Sequence, residues 1–169
     1  MRNIIIGVMG PGENASSEDL KNAYELGQII AINNWVLLTG GRASGVMDAA
    51  SRGAKQAGGL TVGILPSTNS QASEAVDIAI VTDLGQARNN INVLSSDVVI
   101  ACGMGLGTAS EVALALKNQK SVILLTTDSI SYQFFRSYAR DQLFQATTPQ
   151  ETIQLTHKIL ARLSLFETI

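Results

Sequence analysis

Short runs of apolar residues, most of them closed by glycine, alternate along this chain with longer segments of helical period. That alternation restricts the fold more than any other feature. An unbroken apolar run of four to six residues suits a strand buried on both faces of a parallel sheet. An amphipathic segment between two such strands can cover one face of that sheet. Together they imply βαβ crossovers and an α/β fold, a doubly wound, Rossmann-like domain with a mainly parallel sheet. No internal repeat or linker divides the sequence, so the expectation is one domain over residues 1–169.

Strands are expected at residues 4–8, 35–39, 60–65, 77–81, 98–101 and 121–125, with Leu143 and Phe144 as a short edge strand. Helices are expected from Ser16 or Ser17 to about Ala31, and over 44–57, 87–95, 108–118 and about 148–163. Glu18 and Asp19 suit the first turn of the first helix, where acids complement the dipole. Gly58 and Gly59 stop the second. Residues 132–138 are ambiguous.

Composition bounds the partners. Apolar residues make up 46 % of the chain and charged ones 15 %, which fits a buried core and opposes disorder. A net charge of -2 gives no basic footprint for nucleic acid. No stretch reaches the roughly 18 apolar residues that span a bilayer, and the apolar run at the N-terminus is too short for a signal peptide. Cys102 is the only cysteine, so no intramolecular disulfide forms and a reducing, cytoplasmic setting is expected. One cysteine and one histidine, His157, argue against a structural zinc site, and no protein metal site is expected. Cys102 reads as a buried, inert thiol, and His157 as structural or solvated.

In doubly wound sheets ligands bind beyond the carboxyl ends of the strands. Glycine-rich loops follow the first, second and fifth strands here. The loop after the fifth reads Gly103-Met104-Gly105-Leu106-Gly107-Thr108, with Glu111 one turn later. Glycines let backbone N–H groups approach an anion closely, and the following helix adds its free N–H groups and positive end. Thr108 can hydrogen-bond a phosphate oxygen; the spacing Thr108-x-x-Glu111 is equally that of a capping box. The loop after the second strand contains Gly40, Gly41, Arg42, Ser44 and Gly45. Arg42 adds a planar, bidentate cation suited to phosphate, and Ser44 can cap the helix. Gly10 and Gly12 in the first loop are the weakest signal. They lack the third glycine of G-x-G-x-x-G, and no acid follows the second strand to bind a ribose, which disfavours an NAD-dependent enzyme. Arg88 follows the fourth strand, close to the same edge of the sheet; a solvated surface arginine is the simpler reading.

These loops resemble the molybdenum cofactor carrier protein family. The resemblance is carried by Thr39-Gly40-Gly41-Arg42-Ala43-Ser44-Gly45-Val46-Met47, Ser51-Arg52-Gly53-Ala54, Gly58-Gly59 and Gly63-Ile64-Leu65-Pro66. Ala87-Arg88-Asn89 and Gly105-Leu106-Gly107-Thr108-Ala109-Ser110-Glu111 carry it further. It runs from the first strand to about Leu125. That family is related to the Lonely Guy phosphoribohydrolases, once called lysine decarboxylase-like, whose hallmark is P-G-G-x-G-T-x-x-E. Here Gly103 stands for the proline and Met104 for the next glycine, while Gly105, Gly107, Thr108 and Glu111 are kept. Arg42 replaces the third glycine of the relatives' G-G-G-x-x-G-L-M, and Asn89 replaces the lysine after their arginine.

The resemblance implies a protein that binds, protects and carries molybdenum cofactor (molybdopterin), a phosphorylated pterin with an anionic oxo-metal dithiolene. Glycine loops would hold its anionic groups, with Arg42 and Arg88 as charge partners and molybdoenzymes as recipients. It also implies a homo-oligomer, a dimer or tetramer. The relatives point to a second reading: a nucleoside 5'-monophosphate phosphoribohydrolase of the cytokinin-activating type, with Arg88 and Glu111 as the catalytic pair. A third reading is a nucleotide sensor using the same cleft. The changes in both glycine motifs imply a different ligand from that of the hydrolases, and binding without turnover.

Overall fold

The computed structural model describes residues 2–166, the last two by backbone alone. Met1 and residues 167–169, the ends of the expected 1–169 unit, lie outside the described residues.

The strands β1 (Ile5–Met9), β2 (Val36–Thr39), β3 (Thr61–Leu65), β4 (Ile78–Val81), β5 (Val98–Cys102), β6 (Ser121–Leu125) and β7 (Leu143–Ala146) form one sheet. Their order is β4-β3-β2-β1-β5-β6-β7, and every pairing is parallel. The sheet is thus wholly parallel, beyond the mainly parallel one expected. The chain builds outward from β1 to β4, then crosses back to place β5 against β1. The order therefore reverses between β1 and β5, which opens a crevice at the carboxyl edge.

The helices α1 (Ser17–Ile32), α2 (Gly45–Gln56), α3 (Asn89–Leu94), α4 (Leu106–Lys117), α5 (Ser129–Arg136) and α6 (Pro149–Phe166) cover the sheet. Strand alternation splits the core. Ile6, Val8, Leu37, Ile100 and Ile123 pack with Leu26 and Ile30 of α1, Val46 and Ala50 of α2, and Ile153 and Ile159 of α6. Met9, Leu38, Val99 and Leu124 pack with Val93 of α3, Val112 of α4 and Phe135 of α5. Strand β4 is the exception. It is apolar along its length, yet Ile78, Ile80 and Val81 are each nearly half exposed at the sheet's edge.

Helix α1 starts as the sequence implies. Ser16 accepts from the Asp19 N–H at 3.1 Å, and the Asp19 carboxylate accepts from the Ser16 N–H at 3.0 Å, closing a capping box. Residues 132–136 of the ambiguous stretch belong to α5, whose cap is Asp128, accepting from the N–H groups of Ile130 and Ser131. Two expectations need correction. Helix α4 begins at Leu106, with Gly105 as its N-cap, so Thr108 lies inside the first turn and forms no capping box with Glu111. The single helix expected over 87–95 is a 3-10 turn, Gly85–Arg88, followed by the short α3. Among the described residues no helix is long and apolar enough to cross a membrane.

Candidate functional site

A cleft of about 400 Å³ opens at the carboxyl edge of the sheet, over the β1/β5 reversal. The loop after β1 forms its middle. The Val46 N–H donates to the Pro11 carbonyl at 3.0 Å, which ties this loop to the start of α2. That close approach requires Gly45: its φ is +54°, and a Cβ there would collide with the carbonyls of Pro11 and Gly12. On the other side Gly103, at φ +72°, lets the β5–α4 loop pass against the Asp19 carboxylate.

Most of the site residues expected from sequence meet here. Gly10, Gly12, Gly40, Arg42 and Arg88 line the cleft. So do Met104, Gly105, Leu106, Gly107, Thr108 and Glu111. Gly41, Ser44, Gly45 and Gly103 do not line it. The first two hold the β2–α2 loop, Gly41 against the Gly63 backbone, and Ser44 occupies the N-cap position of α2 without a side-chain cap bond.

Arg88 is not the solvated arginine that composition favours. It is 6 % exposed, because the 3-10 turn directs it inward across the ends of β3 and β2. Its Nε donates to the Ile64 carbonyl at 2.9 Å and its Nη1 to the Gly85 carbonyl at 3.2 Å. Its Nη2 comes within 3.2 Å of where a Gly40 Cβ would stand. Burial lowers the Arg88 pKa; the Glu111 charge opposes that shift and the Arg42 charge adds to it. Arg42 reaches in from the β2–α2 loop, its Nη2 2.9 Å from a Cβ placed at Gly12, and its buried Nε has no hydrogen-bond partner.

Glu111 faces this pair from α4 and is 8 % exposed. Burial pushes its carboxyl up to about 7, against the opposing pull of the Asn92 hydrogen bond and the Arg88 charge. Asn92 Nδ2 donates to Glu111 Oε1 at 2.9 Å. Among the described residues Glu111 forms no ion pair with either arginine. Thr108 is 2 % exposed and its hydroxyl has no partner. An unpaired buried hydroxyl costs about 1–3 kcal/mol, so a ligand oxygen at the N-terminus of α4 would recover that cost.

Sequence reasoning missed several residues at this site. Met47 and Asn89 line the cleft and belong to the quoted motifs, but only their neighbours were assigned roles. Asn89 Nδ2 donates to Ser110 Oγ at 2.8 Å, linking α3 to α4. Asn92, fully buried between Ile91 and Val93, could have been noticed as a polar residue within an apolar stretch. Met9, Glu13, Asn14 and Gln86 also contribute to the lining.

Cys102 and His157 stand apart. The Cys102 thiol is buried, donates to the Asp19 carbonyl at 3.4 Å, and burial with the nearby Asp19 charge pushes its pKa up to about 12. His157 is exposed and packs on Trp35 with ring centroids 4.8 Å apart. Among the described residues no group of three or more His, Cys, Asp or Glu side chains could hold a metal ion.

The fold has known counterparts. The molybdenum cofactor binding protein of Rippkaea orientalis is 65 % identical, with a TM-score of 0.93 over 95 % of this chain and 99 % of that one. The molybdenum cofactor carrier protein of Chlamydomonas reinhardtii is 51 % identical, with a TM-score of 0.91 over the same shares. A cytokinin riboside 5'-monophosphate phosphoribohydrolase of Mycobacterium tuberculosis is 35 % identical over 99 residues, 57 % of this chain and 53 % of that protein. The profile of the SLOG cluster4 family matches residues 3–153, and this chain, with its wholly parallel sheet and its cleft at the strand-order reversal, belongs to that family.

Proposed function

We propose that this chain binds, protects and carries molybdenum cofactor in the cleft above β1 and β5, acting as one unit over its whole length in a reducing cytoplasm. The observation that carries the reading is a pair of anion-seeking features in one cleft. Two guanidinium groups, Arg42 and Arg88, face a helix N-terminus whose Thr108 hydroxyl is unpartnered. The cofactor is anionic at both ends, with a phosphate and an oxo-metal dithiolene. A cleft of about 400 Å³ lies within the range of small-molecule pockets. The metal arrives already held by the pterin's sulfurs, so a cleft without a His/Cys cluster fits the cargo. Named likeness to cofactor-binding and carrier proteins at 51–65 % identity supports the same ligand.

The test is to purify the protein from a cofactor-producing host and to measure bound molybdenum and pterin. Gly107→Leu is expected to abolish the bound cofactor while leaving the fold intact. A Cβ at Gly107 meets nothing within 4 Å, yet the side chain would enter the cleft. Unchanged cofactor content in that variant counts against the site.

One observation favours the phosphoribohydrolase reading: Glu111 is buried, oriented by Asn92 and held up to about 7. A carboxyl so poised could stabilise an oxocarbenium-like ribose or assist water. Release of base and ribose 5-phosphate from AMP, lost in Glu111→Ala, would establish it. Copies of this chain associate as a dimer or tetramer; the half-exposed Ile78, Ile80 and Val81, followed by exposed Leu84, support an apolar contact surface. Molybdoenzymes are the recipients in the carrier reading.

A further inference from the structure

Met47 is a buried apolar residue that faces the cleft. It is 7 % exposed, yet it stands outside both apolar clusters that pack against the sheet. It lies in the first turn of α2, and its side chain runs along the cleft. The sulfur would be 2.7 Å from a Cβ at Gly40, and the terminal methyl 3.7 Å from a Cβ at Gly12. The two guanidinium groups meet those same glycines: Arg88 at Gly40 and Arg42 at Gly12. The thioether therefore extends from one cation to the other, and the absence of side chains at Gly40 and Gly12 leaves room for all three.

The two sides of the cleft thus differ in chemistry. The α4 side offers backbone N–H groups and the Thr108 hydroxyl, compact donors suited to phosphate oxygens. The α2 side offers a polarisable sulfur between two guanidinium ions, which are more weakly hydrated than an ammonium. Soft thioether surroundings favour soft partners, and weakly hydrated cations part readily with water before a large, diffuse anion.

We infer that Met47, flanked by Arg42 and Arg88, forms a separate subsite for a large, sulfur-bearing oxo-metal anion, with the phosphate directed to the first turn of α4. This rests on the cofactor-carrier reading and deepens it. The cargo is given a direction, and the protein a means to distinguish metal-loaded from metal-free pterin. No bond from Met47 to the metal is required; contact between polarisable atoms suffices.

Calorimetric titration of the purified protein with tetrathiomolybdate, molybdate and inorganic phosphate tests it. The wild type is expected to bind tetrathiomolybdate at least tenfold more tightly than molybdate, and phosphate is expected not to displace it. Met47→Leu keeps the volume, and such swaps are usually tolerated in packed sites. It should cut the thiomolybdate preference at least fivefold and leave phosphate affinity unchanged. Thr108→Val should do the reverse. If Met47→Leu fails to fold, Met47→Gln, which keeps an unbranched side chain and removes the sulfur, serves with the same expected loss for thiomolybdate and none for phosphate. An unchanged preference in the folded variant, or direct competition between phosphate and thiomolybdate, overturns the subsite. The carrier reading fails separately: it falls if no cofactor copurifies, even where Met47 still discriminates the two anions.

Discussion

Glu111 is a carboxyl group held at about 7 in the same cleft as Arg42 and Arg88, the cleft proposed to take an anion. Its charged form repels such a ligand and its neutral form does not. Affinity for the cofactor is therefore expected to fall as pH rises through 7, and Glu111→Gln to flatten that dependence; binding titrations from pH 5.5 to 8.5, as a rough range about that pKa, check it. Stability follows the same sign. The folded pKa lies above the ordinary value of 4.5, so stability is fully present below 4.5 and is lost as pH rises through about 7. The loss reaches at most about 3 kcal/mol, and Glu111→Gln should melt higher than wild type at pH 8 and above. Glu111 and Arg88 were legible in the sequence because a motif marks them. The start of α4 was misread at Thr108, because the spacing of a capping box is also that of a residue one turn before a buried acid. The backbone of Gly105, not the side chain of Thr108, sets where α4 begins. Asn92 left only the weak signal of a polar residue within an apolar stretch, and Met47 was not legible, since a single apolar residue within a helical segment reads as ordinary packing.

At the scale of elements, the loops depend on one another more than on their own sequences. Gly45 brings the start of α2 against the Pro11 and Gly12 carbonyls at a positive φ. Gly45→Ala combines backbone strain with a collision and is expected to cost more than about 2 kcal/mol in chemical denaturation. A substitution at Gly58, also at positive φ but with nothing within 4 Å, carries the strain alone and should cost less. The strands were legible from their unbroken apolar runs, down to the edge strand at Leu143. Helix α5 was not, because the doubtful stretch excludes its beginning; the signal was Asp128, just before Ser129. The region before α3 was legible only in part. Asp83 and Gly85 both adopt positive φ there, and the resulting turn carries Arg88 inward, a matter of backbone path that periodicity does not encode.

The whole molecule sets its cleft at one edge of the sheet and its exposed apolar strand at the β4 end. Charged substitutions on β4 should therefore dissociate copies without disturbing cargo. Ile80→Lys is expected to lower the mass seen by sedimentation to that of a smaller species while cofactor content per chain stays the same. An unchanged mass would place the contact elsewhere. The buried thiol of Cys102 has a consequence at this scale as well. The chain's only sulfhydryl is locked beneath the cleft, its pKa near 12, with its proton engaged by a carbonyl. A cofactor whose dithiolene has been oxidised to a disulfide would thus find no thiolate here to attack its S–S bond, so the proposed container offers no sulfur for a mixed disulfide with its cargo.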